Sequence, residues 1–160
     1  MKKTILFLAA LALMPVIARS GETITPSATY RFAQRDTCDL FLDIYEPAPG
    51  SETVINGKTK PSILFVFGGG FVSGARNEEH LKEYYKMLTD NGFRVIAPDY
   101  RLGMKGVKGA GINKEFIAAM ENSINIAVED LFSATKYIID NAAELGIDPS
   151  CIVAAGSSAG

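Results

Sequence analysis

The chain has 160 residues, a length typical of one domain, of which 48% are hydrophobic and 21% are charged. This globular composition excludes a disordered or fibrous protein. A formal net charge of −2 provides no basic excess for nucleic acid, and no Cys, His and carboxylate group has metal-ligand spacing, so we expect neither a metal nor a cofactor.

The first part of the chain, residues 1–20, is predicted to be a secretory signal peptide. Two lysines give it a positive start, an apolar run covers residues 4–14, and small residues near Ala18 or Ser20 suit cleavage. The apolar run is short for a bilayer span, although an uncleaved N-terminal anchor is the alternative. We therefore predict a secreted or periplasmic protein with no stable membrane insertion after cleavage.

Two strands are predicted at the start of the remaining chain. Residues 27–31 and 38–45 have strand-like patterns, and their short connection makes them antiparallel neighbours. A polar turn is predicted at residues 57–61.

From residue 63 onward, strand and helix patterns alternate. Strands are predicted at 63–67, 93–97 and 152–155, and a helix at 78–91 with Gly92 as its stop. The unbroken apolar run at 63–67 is typical of a strand covered on both faces. The alternation predicts an α/β fold, with a mostly parallel sheet and helices on both faces.

A long helix is predicted before the last strand, from a cap at Asn122 or Ser123 to Leu145. Its apolar residues form one stripe, which predicts the buried face: Ile124, Ala127, Val128, Leu131, Ala134, Ile138 and Ala142. A separate short helical piece is predicted at residues 112–120. The whole segment 103–120 is either part of a cap over a site or a plain surface insertion.

The two cysteines, Cys38 and Cys151, each stand at the start of a predicted strand. An exported protein allows them to pair. A free cysteine at such a position behaves as a small buried hydrophobe, so we predict two unpaired, buried thiols.

The last residues carry the main chemical signal. The apolar run 152–155 leads into residues 156–160, which read Gly-Ser-Ser-Ala-Gly. A strand running into Gly-x-Ser-x-Gly is typical of a nucleophile elbow, a tight turn that exposes the hydroxyl of its central serine, here Ser158. The alternative is an ordinary glycine-rich turn between a strand and a helix.

Two further motifs precede the elbow. Residues 67–74 read Phe-Gly-Gly-Gly-Phe-Val-Ser-Gly after the predicted central strand, and residues 99–102 read Asp-Tyr-Arg-Leu. Together with the elbow, these motifs resemble the α/β-hydrolase superfamily, and more narrowly the carboxylesterases that have an HGGG-type loop. The match covers the chain from about residue 38 onward. Phe67 is a departure, because the lipase-like branch has His there; that His is not a triad member.

The resemblance implies roles for particular residues. Ser158 would be the nucleophile, and the backbone N–H groups of Gly69, Gly70 and Ala159 would form the oxyanion hole. The resemblance also implies a structural ion pair between Arg101 and Asp130. A secreted bacterial member would act on small-molecule or polysaccharide-linked esters, such as acetyl or feruloyl esters of plant polysaccharide.

The remaining triad members are not found in this sequence. In this fold the acidic residue and the histidine follow the serine, whereas the single histidine, His80, precedes it. We interpret His80 as a solvated residue in the first turn of a helix. We therefore expect residues 21–160 to be the N-terminal part of a single α/β-hydrolase domain, truncated after the elbow. We expect the 160 residues alone to be inactive, because a serine without a base is a weak nucleophile.

Three functions fit these motifs. A serine carboxylic-ester hydrolase is the first, and a serine peptidase of the same fold is the second. The third is a catalytically inactive, hydrolase-like binding protein. The intact glycine loop favours the esterase over the peptidase, and the presence of Ser158 argues against the inactive protein. The sequence indicates nothing about the oligomeric state.

Overall fold

The computed structural model of the chain describes residues 23–107 and 111–160. The predicted signal peptide, residues 1–20, therefore lies outside the described residues. Among the helices that are described, none is long and apolar enough to cross a membrane.

The described part of the chain forms one five-stranded sheet, a small hairpin and three helices. In chain order these elements are β1 (Ala28–Gln34), β2 (Asp39–Tyr45), β3 (Val54–Ile55), β4 (Lys58–Thr59), β5 (Ser62–Val66), α1 (Glu79–Asp90), β6 (Arg94–Pro98), α2 (Lys114–Asp140), α3 (Ala142–Leu145) and β7 (Ile152–Gly156). The sheet order is β1-β2-β6-β5-β7. The pairs β1–β2 and β2–β6 are antiparallel, whereas β5 is parallel to both β6 and β7.

The strand β5 is the centre of the parallel part of the sheet. All five of its residues are buried, because β6 and β7 flank it and helices cover both faces. Its apolar run is thus explained by burial on both sides, as the sequence predicts. The predicted antiparallel pairing of the first two strands is also confirmed.

Helices pack on both faces of the sheet. On one face, Leu81 and Tyr85 of α1 pack in a cluster with Phe65 of β5. On the other face, Ile138 of α2 packs with Leu64, the neighbour of Phe65 on the same strand. Because successive strand side chains point to opposite faces, one strand supplies both layers of the core.

The predicted start of the long helix is wrong. The helix α2 begins at Lys114, where the Asn113 side chain accepts a hydrogen bond of 2.8 Å from the Phe116 N–H. Ser123 lies inside the helix, and its hydroxyl donates to the Ala119 carbonyl at 2.6 Å. The predicted short helical piece and the predicted long helix are therefore one continuous helix, with no cap at Asn122 or Ser123. The connection before this helix ends at Asn113.

The predicted end and buried face of this helix also need correction. Asn141 ends α2, and the short helix α3 follows, with Gly146 as its left-handed cap at φ 62°. Ile124 and Val128 of the predicted stripe are exposed. Ala127, Ala134 and Ile138 of the stripe are buried as predicted, and the buried face also includes Ser123 and Asp130, which the stripe lacked. A polar serine and an aspartate hide this face from a search for apolar spacing.

Two smaller predictions are also corrected. The predicted polar turn at residues 57–61 contains β4, and the tight turn lies at Asn56 and Gly57, which both have positive φ. The cysteine thiols are free, as predicted. They are not buried, however, because Cys38 is exposed and Cys151 is only half-buried.

Candidate active site

The glycine loop and the serine turn leave the sheet at the same edge. The strands β5 and β7 are parallel neighbours, and Val66 at the end of β5 is paired with Gly156 at the end of β7. The N–H of Ser157 donates to the Val66 carbonyl at 3.1 Å, which continues the pairing into the turn. The carboxyl ends of parallel strands meet at one edge, and this register therefore brings the two motifs together.

The serine turn is strained at its central residue. Ser158 has a φ of 55°, in the left-handed region that residues other than glycine seldom adopt. The turn is closed by a 2.9 Å hydrogen bond from the Gly160 N–H to the Ser157 carbonyl. A strained, non-glycine residue at an exposed turn directly after a strand is the geometry expected of a nucleophile elbow.

Close backbone contacts explain the two glycines of this turn. A Cβ atom on Gly156 would lie 2.6 Å from the Gly160 carbonyl oxygen. A Cβ atom on Gly160 would lie 2.6 Å from the Phe67 carbonyl oxygen. Any side chain at either position would push the turn away from the end of β5.

The glycine loop also has a conformation that favours glycine. Gly69 has a φ of 132° and Gly70 a φ of 61°. The N–H groups of Val72 and Ser73 donate to the Gly69 carbonyl, at 3.1 and 3.2 Å, and close the loop into a tight turn. Within the described residues, the N–H groups of Gly69, Gly70 and Ala159 donate no hydrogen bond. These donors are available to an oxygen atom of a ligand.

A shallow cavity joins the loop to the serine. A Cβ atom on Gly68 would lie 2.5 Å from the Ser157 carbonyl oxygen and 3.0 Å from the Ser158 Cβ, so the two motifs are in contact. Beside this contact is a cavity of about 190 Å³. Gly69 and Ser158 both line it, while Gly70 and Ala159 are their neighbours in the chain.

Phe67 has a packing role at the position where the lipase-like branch has His. Its ring stacks on Tyr100, with the centroids 4.3 Å apart and the planes at 18°. The Tyr100 hydroxyl donates to the Phe67 carbonyl at 2.9 Å. The stacked pair thus holds the start of the glycine loop on the sheet. Phe67 is buried, with only 2% of its area exposed.

His80 lines the same cavity as Ser158, at the start of α1. Its Nδ1 lies 3.3 Å from a carboxylate oxygen of Glu78, and 70% of its side chain is exposed. The exposure agrees with the interpretation of His80 as a solvated residue of the first helical turn. Its place on the rim of the cavity was not predicted.

If the site hydrolyses esters, as its motifs predict, His80→Ala should change kcat/KM by less than about threefold, because an exposed rim residue contributes far less than a general base. A base would instead contribute roughly 10²- to 10⁴-fold. Steady-state kinetics on a p-nitrophenyl ester will distinguish the two values. A loss of about a hundredfold or more would make His80 a base and contradict its assignment to the solvated rim.

The predicted pair of Arg101 and Asp130 is confirmed. Asp130 is fully buried in α2, and its two carboxylate oxygens accept 2.8 Å hydrogen bonds from Nε and Nη2 of Arg101. Hydrogen bonding to Asp130 raises the pKa of the Arg101 guanidinium. Arg35 is a third member that the sequence did not reveal, and its Nε donates to Asp130 at 2.9 Å.

Asp130→Ala is expected to lower the free energy of unfolding by about 3–5 kcal/mol, because two arginines would lose their buried counter-charge. Urea unfolding followed by circular dichroism measures this change. Asp140→Ala is the matched control on the same helix, since Asp140 forms an exposed i,i+4 pair with Lys136. The control should change stability by less than about 0.5 kcal/mol. Equal effects in both variants would show that the Asp130 cluster contributes little.

No group of three or more Cys, His, Asp or Glu side chains in residues 23–107 and 111–160 is arranged to hold a metal ion. The groups that the site presents are a hydroxyl on a strained turn and unused backbone N–H donors. With a base to take the serine proton, this arrangement can attack a carbonyl carbon and bind the resulting oxyanion.

Comparison with known proteins gives the family. The BD-FAE family profile matches residues 42–160, a range that contains the glycine loop and the serine turn. The chain belongs to the BD-FAE family. The predicted carboxylesterase-like family and α/β-hydrolase fold are thereby confirmed, since a solved esterase matches this family member at 31% identity.

The thermophilic esterase Est2 of Thermogutta terrifontis, solved with propionate bound, is 31% identical to this chain. The TM-score is 0.59, and the match covers 83% of this chain and 42% of that one. The same esterase, phosphorylated by paraoxon, matches at 30% identity and a TM-score of 0.58, over 82% of this chain and 43% of that one.

Similar sequences include an esterase and a neuroligin-like protein. Esterase E4 of Myzus persicae is 30% identical over 121 residues, which are 76% of this chain and 20% of that protein. The neuroligin-like protein glit-1 of Caenorhabditis elegans is 28% identical over 133 residues, 82% of this chain and 16% of that protein. The chain therefore spans less than half the length of these relatives.

Proposed function

We propose that this chain supplies the nucleophile and the oxyanion hole of a serine carboxylic-ester hydrolase. The observation that carries the proposal is the strained Ser158, with a φ of 55°, in contact with a glycine loop whose N–H groups are unused among the described residues. Strain at an exposed serine has a cost of about 1–3 kcal/mol, which a purely structural turn would avoid by using glycine.

The proposed reaction has two steps. The Ser158 hydroxyl attacks the ester carbonyl and passes its proton to a histidine base, while the N–H groups of Gly69, Gly70 and Ala159 bind the oxyanion. The alcohol leaves with that proton, and water then releases the acid from the acyl-enzyme. The histidine and the acidic residue that orients it follow the serine in the chain order of this fold.

An esterase is supported better than the other two functions. The similarity to Est2 and to esterase E4 favours ester hydrolysis over peptide hydrolysis. The neuroligin-like relative keeps a binding protein as the second candidate. The retained Ser158 and the open glycine loop favour the enzyme over this candidate, because a binding surface needs neither.

We further propose that the substrates are small-molecule or polysaccharide-linked esters, and that the protein is exported by the signal peptide at residues 1–20. The lysine-led apolar run supports export. The bound propionate of Est2 supports a short acyl group. Mass spectrometry of the secreted protein, showing a new N-terminus near residue 19 or 21, would be the direct measurement of export.

Covalent labelling tests the nucleophile. The protein, expressed from its complete reading frame, is incubated with paraoxon, and its intact mass and peptides are measured. We expect one diethylphosphoryl group per chain, attached to Ser158, because the leaving group departs as the serine oxygen bonds to phosphorus. Denatured protein is the control. Absence of labelling, together with absence of ester hydrolysis, would favour the binding protein.

A further inference from the structure

An ion cluster lies directly after the glycine loop and outside the groups already described. Arg76 Nη1 donates to an oxygen of Asp99 at 2.7 Å, and Arg76 Nε lies 2.9 Å from an oxygen of Asp43 as an ion pair. Only 18% of the Arg76 side chain and 2% of the Asp43 side chain are exposed. The guanidinium carbon is also 5.7 Å from the centroid of the Phe41 ring.

Each carboxylate is itself held by the sheet. Asp43, on β2, accepts a 2.6 Å hydrogen bond from the Thr29 hydroxyl on β1. Asp99, directly after β6, accepts a 3.1 Å hydrogen bond from the Phe41 N–H. The Arg76 carbonyl accepts a 3.0 Å bond from the Tyr85 hydroxyl on α1. Arg76 therefore joins the loop to two strands and a helix.

This cluster holds one end of the glycine-loop segment, whose glycines make it easy to deform. The segment from Gly68 to Arg76 includes three glycines at positive φ: Gly69, Gly70 and Gly74. Its start is fixed to the end of β5 by the stacked Phe67, and the Met104 N–H holds the Phe71 carbonyl at 2.9 Å. Gly74 lies against the Phe67 ring, since a Cβ on it would lie 2.7 Å from a ring carbon. Beyond Gly74, this end of the loop is held at Arg76, through its guanidinium and through the bond from the Tyr85 hydroxyl to its carbonyl.

We propose that Arg76, by bridging Asp43 and Asp99, is a positioning residue that fixes the N–H groups of the glycine loop where the oxyanion forms. The proposal rests on the proposed function, because it gives Arg76 a role in that oxyanion hole. Arg suits this position, since its planar fork reaches two carboxylates at once, whereas the point charge of Lys does not.

The test compares Arg76→Met, Arg76→Lys and a matched control in the protein expressed from its complete reading frame. The control is Arg94→Met, because Arg94 is similarly buried, with 21% of its side chain exposed, and pairs with Glu46 at the opposite edge of the sheet. Hydrolysis of p-nitrophenyl butyrate gives kcat and KM. Titration with a fluorophosphonate counts active sites, so that loss of folded protein is not mistaken for slower chemistry.

We expect Arg76→Met to lower kcat per titrated site by about a hundredfold, the effect of a displacement near 1 Å. KM should change by less than about threefold, because the lost contact acts in the transition state. Arg76→Lys should fall between Met and wild type, and Arg94→Met should keep the wild-type kcat. Binding of a boronic acid analogue should weaken by about the same factor as kcat/KM.

The proposal is overturned if Arg76→Met and Arg76→Lys both keep kcat within about threefold of wild type. It is also overturned if Arg94→Met loses as much as Arg76→Met, since the cause is then general stability. Where Arg76→Met does not fold, Arg76→Lys and Asp99→Asn decide by the same criterion. Failure of the proposed function is a different result: wild-type protein without activity, or Ser158→Ala with full activity.

Discussion

Ser158→Ala is expected to lower kcat for ester hydrolysis by roughly 10⁴- to 10⁶-fold, the effect that removal of a triad nucleophile has in serine hydrolases. The substitution removes only the hydroxyl group, and the N–H groups that would bind the oxyanion remain. KM should change far less than kcat. The measurement is steady-state hydrolysis of p-nitrophenyl acetate by the protein expressed from its complete reading frame.

Ser157→Ala is the matched control for this prediction. Ser157 belongs to the same turn, but its hydrogen bonds there are made by its backbone. Its N–H donates to the Val66 carbonyl, and its carbonyl accepts from the Gly160 N–H. The alanine variant keeps both, so we expect its kcat to stay within about tenfold of wild type. If Ser157→Ala were the inactive variant, the nucleophile would be misassigned by one residue. If both variants stayed active, the serine mechanism would be wrong.

The central strand and the site motifs were predicted from sequence because each has few alternative structures. The unbroken apolar run at 63–67 predicts a strand covered on both faces, and the structure has this buried strand at Ser62–Val66. The Gly-x-Ser-x-Gly turn at 156–160 leaves no room for a Cβ at either end. Structures of this kind are determined by a few neighbouring residues, so a local sequence pattern is enough to predict them.

The start of α2 was not predicted, because its determinant is tertiary. Ser123 resembles a helix cap in the sequence, yet it is buried and its hydroxyl bonds to Ala119 within the helix. Gly103 makes this burial possible, since a Cβ there would lie 2.6 Å from the Ser123 hydroxyl oxygen. A close approach between a loop and a helix has no signature in the spacing of apolar residues.

The charged clusters around the site were only partly predictable. The pairing of Arg101 with Asp130 followed from the resemblance, but Arg35 lies 95 residues from Asp130 in the chain. Arg76 is 33 residues from Asp43 and 23 from Asp99. Ion pairs across such separations are determined by sheet order, and β2 lies beside β6 although many residues separate them in sequence.

Gly69→Ala is expected to lower kcat by about 10²- to 10³-fold, the range for loss of one oxyanion-hole donor. Gly69 has a φ of 132°, a region that only glycine adopts easily. A Cβ there would also collide with the Ser73 carbonyl oxygen, which belongs to the turn that closes the loop. The loop would have to open, and its N–H groups would move away from Ser158.

Gly70→Ala separates this collision from backbone strain. Gly70 has a φ of 61°, and a Cβ on it would have nothing within 4 Å. The variant should lose about 1–2 kcal/mol of stability, the cost of a left-handed alanine, while keeping its N–H in place. We expect its kcat, per active site, to stay within about tenfold of wild type. Wild-type kcat in Gly69→Ala would remove that residue from the oxyanion hole. Equal losses in both variants would instead assign the effect to backbone conformation, because the two positions share a positive φ and differ in the space around them.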